Sequence, residues 1–234
     1  MPRLHKEKFK TRHNVFDEFT NRVLFKLISE GHLDGLESPI SVGKESNIFS
    51  AHKGDIRIII KIYRLEACDF GKMYDYIKAD PRYITLKKKR REIIFAWAQR
   101  EFRNIFKLRE IGVRVPKPIA FKNNVLVMEF IGNNDPAPKL KDLIPKNKKE
   151  FFDKIISYMK KMHKSGYVHA DLSEYNILNY NEAPEFIDFS QCTILENLNA
   201  KEYLKRDIGN ICRFFNKNGL KVDVEKVTQE ICAR

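Results

Sequence analysis

The 234-residue chain has no apolar run of roughly eighteen residues, the length needed to cross a bilayer as a helix. Its first residues, MPRLHKEKFK, lack the apolar stretch of a secretory signal. Cysteines are few. Cys68, Cys192, Cys212 and Cys232 are widely spaced with no CxxC pair, which argues against a zinc site or a disulfide framework. Acidic residues are also in deficit, 31 against 44 Lys and Arg, for a formal charge of +13. No internal repeat is visible. The 43% of hydrophobic residues, however, is too high for general disorder, and the length suffices for one domain or two small lobes. The expectation is a soluble cytoplasmic protein in a reducing setting, with a polyanionic partner to match its charge.

What is present divides into two textures. From Asn14 to Ile28, Val15, Phe16, Phe19, Val23, Leu24 and Leu27 recur at helical spacing, and Gly31 follows as a stop. Between Leu36 and Tyr63, short β-prone runs (SPISV, NIFSAH, IRIIIKIY) are punctuated by Gly43 and Lys53-Gly54-Asp55, which predicts three antiparallel strands. Residues 64–91 show little periodicity and end in five consecutive basic residues; a long, partly mobile insertion is expected there. A buried helix is predicted over Glu92–Ile111 and a hairpin over Phe121–Ile131, turning at Asn123-Asn124. GNNDPAPKLKD, starting at Gly132, reads as a linker. Beyond it come a helix over Lys148–Lys164, two short strands around Ile177 and Phe186-Ile187, and helices near 199–217 and 222–232. The implied division is a basic segment and helix (1–35), a small β-rich lobe (36–132) and a mostly helical lobe (133–234), with a ligand cleft between the lobes.

The chemistry concentrates in few places. Asp171 and Asn176 lie five apart in a polar loop, HADLSEYN, bounded by apolar residues. Asp188 follows twelve residues later at the end of an apolar strand. Two carboxylates and an amide oxygen form a hard-oxygen set suited to Mg²⁺ or Mn²⁺ carrying a nucleoside triphosphate. Phosphoryl transfer also needs a cation at the phosphates. Lys61, near the end of the apolar strand IIIKI, is the candidate, with Glu101 on the following helix as its partner; Glu92 lies on the same helix. The turn Ser41-Val42-Gly43-Lys44-Glu45-Ser46 can lie over phosphates and offer backbone N–H groups. Taken singly, each has an ordinary reading: Asp188 as a turn residue, Lys61 as a solvated strand edge, His169 as a structural histidine. Their order along one chain, glycine turn, strand lysine, helix glutamate, HxD-x₄-N, then ID, points to nucleotide binding.

That order resembles protein kinases, with Ala170 where their catalytic loop carries arginine and Ser190 where their metal motif carries glycine. The variant looks like the RIO family of atypical kinases, on SVGKES (41–46), IKIY (60–63), WAQREFRN (97–104), VMEFIG (127–132), HADLSEYN (169–176) and DFSQ (188–191). Pro136-Ala137-Pro138 and Arg206-Asp207 also fit. HADLSEYN and the EFRN context, which favours Glu101 over Glu92, look like the first RIO subfamily in its minimal, archaeal form.

The resemblance implies an α+β, bilobal kinase-like fold: an antiparallel β-rich N-lobe and a reduced helical C-lobe without an activation loop. It implies ATP with Mg²⁺ or Mn²⁺ as cofactors. Asp171 would be the catalytic base or orienting group, Asn176 and Asp188 the metal ligands, Lys61 the phosphate anchor and Glu101 its partner. Met128 would line the adenine pocket, and Glu129 and Ile131 would offer it backbone groups. In this family a phosphorylated aspartate at the Asp188 position belongs to an ATPase cycle. The expected function is an autophosphorylating serine/threonine kinase or ATPase of small ribosomal subunit maturation, with a pre-ribosomal RNA surface as partner. An aminoglycoside-type small-molecule phosphotransferase and a non-catalytic ATP-binding scaffold are the alternatives.

Overall fold

The computed structural model describes residues 16–66 and 70–233. The basic N-terminal end, Asn14, Val15 and Cys68 lie outside the described residues. The first helix, α1 (Glu18–Ser29), begins at Asp17, whose carboxylate accepts the Thr20 N–H at 2.8 Å and so caps an otherwise unpaired donor. Five strands follow in one antiparallel sheet of order β1-β2-β3-β5-β4: β1 (Gly35–Val42), β2 (Ser46–Lys53), β3 (Ile56–Tyr63), β4 (Pro118–Lys122) and β5 (Val125–Glu129). Pro39 sits at a register shift on the edge strand β1, where a missing N–H does least harm.

The turn at Asn123-Asn124 joins β4 and β5 as expected, with Asn123 at φ 53°. Asn124 is buried, and its amide donates at 2.9 Å to Thr20 Oγ1 and to the Tyr63 carbonyl, tying α1 to the sheet. The strand β5 is buried on both faces. Val125 and Val127 pack with Leu24, Leu27 and Ile60 under α1, whereas Leu126 and Met128 join the core of the helical lobe. That explains why VLVM reads as an unbroken apolar run rather than an alternating one.

Residues 64–91 depart from the expectation of a mobile insertion. Their described part holds helix α2 (Phe70–Lys78) and a short 3-10 turn (Pro81–Tyr83) packed on helix α3 (Arg90–Glu110). Leu65, Met73, Ile77 and Tyr83 share a core with Ile93, Ile94 and Trp97. The apolar face of α2 is only two turns long and built partly from tyrosines, so its periodicity was too diluted to read.

GNNDPAPKLKD is not a free linker. Lys139 bridges Leu178, the Leu140 N–H donates to the Ile177 carbonyl at 2.8 Å, and Leu140 is buried. The helical part contains α4 (Lys148–Lys164), the strand pairs β6 (Tyr167–Val168) with β9 (Thr193–Ile194) and β7 (Ile177–Tyr180) with β8 (Ala183–Phe186), then α5 (Ala200–Lys217) and α6 (Val224–Cys232). Phe151, Ile155, Met159, Ile208 and Phe215 fill its core. No described helix is long and apolar enough to cross a membrane.

Candidate active site

Strand alternation delivers the lysine. Ile58, Ile60 and Ile62 point into the core under α1, so Ile59, Lys61 and Tyr63 occupy the opposite face. There Lys61 Nζ lies 2.8 Å from Glu101 Oε1 on α3 and 2.8 Å from Asp188 Oδ1. Glu101 is fully buried; it also accepts the Phe189 N–H at 3.2 Å and the Tyr63 hydroxyl. Glu92, the other carboxylate on that helix, pairs instead with Lys89 at the surface. Burial works against all three charges. It pushes Glu101 above the usual carboxylate range despite Lys61. On Lys61 it is outweighed by Asp188 and Glu101, which hold the ammonium charged and raise its pKa. On Asp188 it is outweighed by the Lys61 ammonium and a 2.8 Å hydrogen bond from Ser190 Oγ, and the carboxyl falls to about 2.

The loop of Asp171 is held from below by α5. Ala170 adopts φ 66°, a left-handed conformation that a non-glycine residue keeps only when its surroundings enforce it. Asp207 supplies that constraint, its two oxygens accepting the N–H groups of Ala170 (2.8 Å) and Leu172 (3.0 Å). Arg206 donates to the Ala170 carbonyl, and Asn210 Nδ2 to that of Leu172 at 3.2 Å. Burial pushes Asp207 up to about 7 against those two hydrogen bonds. His169 is the structural histidine expected: it is buried, its Nε2 donates to the Ile187 carbonyl at 3.1 Å, and burial drives its pKa to about 4. Burial, followed by the charge of Asp188, raises Asp171 from its ordinary value.

Asn176 closes the constellation. Its Nδ2 donates to the Asp171 carbonyl (2.8 Å) and to Asp171 Oδ2 (3.1 Å), and its own carbonyl accepts the Ile187 N–H at 3.0 Å. Lys61, Glu101 and Asp188 thus form one ionic set and Asp171 with Asn176 a second, and the two sets, spread over 128 positions, are joined through the main chain of Ile187, next to Asp188.

The other candidates lie around it. The turn of 41–46 closes with the Gly43 N–H donating to the Ser46 carbonyl at 3.0 Å, leaving Lys44 and Glu45 at an exposed tip. Glu45 acts on Asp171 electrostatically, so the tip faces the site, and Ser41 and Val42 are exposed on the same hairpin. Met128 is buried in the core. The Glu129 N–H is committed to the Lys117 carbonyl and its carboxylate to the Lys117 N–H. The Ile131 carbonyl accepts from Ala137, and its N–H makes no hydrogen bond among the described residues. The bend beyond it requires Gly132, at φ 155°, where a Cβ would run into the Asp135 carbonyl. Asp207 is the functional-site residue the sequence reading left without a role. Its signal was the Arg206-Asp207 pair on an otherwise amphipathic helix, an acid on the buried face.

Among the described residues no three His, Cys, Asp or Glu side chains gather as a metal cage. Asn176 and Asp188 nonetheless fit Mg²⁺, which prefers hard oxygens and keeps waters and phosphates as its other ligands. The Asn176 N–H donors are spent on Asp171 and Asp188 Oδ1 on Lys61 and Ser190, so one oxygen of each remains for a cation.

The RIO domain family model matches residues 47–227. The RIO-type serine/threonine-protein kinase Rio1 of Methanocaldococcus jannaschii is 44% identical over 90% of this chain and 73% of its own length. That of Haloferax volcanii is 39% identical over 93% and 76%. The Rio2 kinase of Chaetomium thermophilum, solved as an ADP/Mg²⁺-phosphoaspartate complex, superposes with a TM-score of 0.69 at 22% identity, covering 91% of this chain and 66% of that one. The last likeness establishes the kinase-like α+β fold.

Proposed function

The chain belongs to the RIO domain family, and from that premise we propose that it is an ATP-dependent protein serine/threonine kinase of the RIO type, with ATP hydrolysis and autophosphorylation as further outcomes of the same site. The observation that carries the reading is the placement of Lys61 Nζ at 2.8 Å from both Glu101 and Asp188, with Asn176 and Asp171 held beside them by the Ile187 N–H donating to the Asn176 carbonyl.

Each residue has a physical task. Lys61, kept protonated by its two carboxylate neighbours, anchors the phosphates, and Glu101 holds it in place. Asn176 and Asp188 would hold Mg²⁺ (or Mn²⁺). When bound, the ion neutralises charge on the phosphates. Asp171 orients the acceptor hydroxyl and takes its proton; its raised pKa makes it a better base than a solvated aspartate. The Ile131 N–H serves the adenine edge, beside Glu129 and above Met128. The hairpin tip of 41–46 covers the phosphates with backbone N–H groups. In the hydrolytic branch Asp188 itself would accept the phosphoryl group, as the phosphoaspartate of the Chaetomium complex suggests by analogy.

The proposed setting is small ribosomal subunit maturation in the cytoplasm. The formal charge of +13 and the exposed run Lys87–Arg91 suit a phosphate-rich surface, as do the exposed Lys141 and Lys146. The test is incubation with γ-labelled ATP and Mg²⁺, comparing wild type with Asp171→Asn. Label transfer or phosphate release by wild type, lost in the variant with ADP binding retained, supports the reading. An inert wild type, or full turnover by the variant, overturns it. Co-sedimentation with small-subunit precursors that differs between ATP and a non-hydrolysable analogue tests the ribosomal setting; an unchanged distribution counts against it.

A further inference from the structure

The metal loop is anchored from a direction the reaction does not explain. After Asp188, itself at φ 62°, the chain turns through Phe189, Ser190, Gln191 and Cys192. Three of those four carbonyls accept from side chains of α3. Arg100 Nη2 donates to Gln191 O at 3.2 Å, and Asn104 Nδ2 donates to Cys192 O at 2.8 Å and to Phe189 O at 3.5 Å. Arg100 and Asn104 are themselves positioned by the segment just before α3. Asp80, fully buried, faces Arg100 Nε at 3.5 Å and takes a two-pronged hydrogen bond from Arg82, with Nε at 2.9 Å and Nη2 at 2.6 Å. The other arm of Arg82 donates to Asn104 Oδ1 at 3.2 Å. Asp80 also caps the 3-10 turn by accepting the Arg82 N–H.

Asp80 thus stands at the head of two parallel relays. One runs through Arg100 to Gln191. The other runs through Arg82 and Asn104 to Cys192 and Phe189. Both end on the backbone immediately after the proposed metal ligand. A fully buried arginine with a single carboxylate nearby is a costly arrangement, which a purely apolar contact between α2 and α3 would avoid. The left-handed conformation of Asp188 is likewise kept only by what surrounds it. Resting on the functional reading above, we propose that Asp80 and Arg100 are positioning residues for the Asp188 loop: the packing of the 70–83 segment onto α3 sets the orientation in which Asp188 meets its divalent cation. Neither residue contacts nucleotide or metal; each acts through the loop backbone.

The test measures Mn²⁺ binding by electron paramagnetic resonance in the presence of ADP, alongside metal-free ADP binding and thermal melting. Three variants of the full chain are compared with wild type. Asp80→Leu with Arg100→Met removes the pair without leaving a lone buried charge. Arg100→Lys keeps a cation facing Asp80 but has no second arm for Gln191. Arg82→Gln disturbs the second relay at its exposed rim. We expect Mn²⁺ affinity to fall at least five-fold in the double variant and in Arg100→Lys, and two- to three-fold in Arg82→Gln. Metal-free ADP binding stays within two-fold throughout. A merely structural role would weaken both ligands in step with melting temperature. Wild-type Mn²⁺ affinity in any folded member of the first two, or in Arg82→Gln should those fail to fold, overturns the positioning role alone. Absence of Mn²⁺ binding by wild type would remove the functional reading, and this proposal with it.

Discussion

The Asp171 loop and the Asp188 loop face the same local difficulty and meet it from opposite sides of the site. Each contains a non-glycine residue in left-handed backbone, Ala170 at φ 66° and Asp188 at φ 62°. The Asp171 loop is fastened by α5, within the helical part, through Asp207, Arg206 and Asn210. The Asp188 loop is fastened across the site by α3 and β3, through Glu101, Lys61, Arg100 and Asn104. The proposed base is therefore as rigid as its own lobe. The proposed metal ligand is only as well placed as the contact between the lobes. Any influence that loosens that contact should reach the metal before it reaches the base.

The comparison can be broken most severely at Glu101. Glu101→Ala leaves Lys61 buried beside Asp188 alone and the Phe189 N–H without its acceptor; we expect a loss of about 3–5 kcal/mol in urea unfolding, with Mg²⁺-dependent nucleotide binding lost as well. His169 joins the two loops, its ring on the Asp171 side bonded to the Ile187 carbonyl on the other. Its folded pKa of about 4 lies below the ordinary 6.5. The stability tied to the neutral ring is then fully present above 6.5 and lost as pH falls through 4, about 3 kcal/mol over that window. The wild type should lose that much more than His169→Phe between pH 7 and 4, read from the difference of their unfolding curves.

Asp207 works in the opposite sense. Its folded pKa of about 7 exceeds its unfolded value, so the stability tied to its protonated form is present below about pH 4 and lost as pH rises through 7. Asp207→Ala orphans two buried N–H groups yet relieves that penalty, and should cost only about 2 kcal/mol near neutrality. It should lower ATP turnover while leaving Mn²⁺ binding near wild type, the reverse of the Arg100 variants. Lys149→Ala provides the floor. Its pair with Asp153, at 2.5 Å on the exposed face of α4, is shorter than the Lys61 contacts, yet its removal should change stability by less than about 0.5 kcal/mol.

Much of this was legible because strong local signals agreed with the fold. Strands β1 to β3, the Asn123-Asn124 hairpin and α4 followed from alternation, turn residues and helical spacing. Lys61, Asp171, Asn176 and Asp188 stood out because each sits at an end or corner of an apolar segment. Helix α2 was not legible, since its apolar positions are partly tyrosines, and neither was the ionic contact that follows it: Asp80 looks like an ordinary turn aspartate until Arg100 and Arg82 are placed beside it. The Arg206-Asp207 pair stood out in the sequence, but the role of Asp207 did not, because its partners are main-chain N–H groups 35 and 37 positions away.

By itself the order of residues determined most of the strands and helices, α2 excepted, and which side chains are the candidates for the chemistry, because those depend on short-range periodicity and on functional groups. The EFRN context already favoured Glu101 over Glu92 as the partner of Lys61, whereas what holds the Asp171 and Asp188 loops was decided only by tertiary structure. Those outcomes depend on how a buried charge finds a partner from another element, and desolvation makes that choice strict while leaving no trace in local sequence.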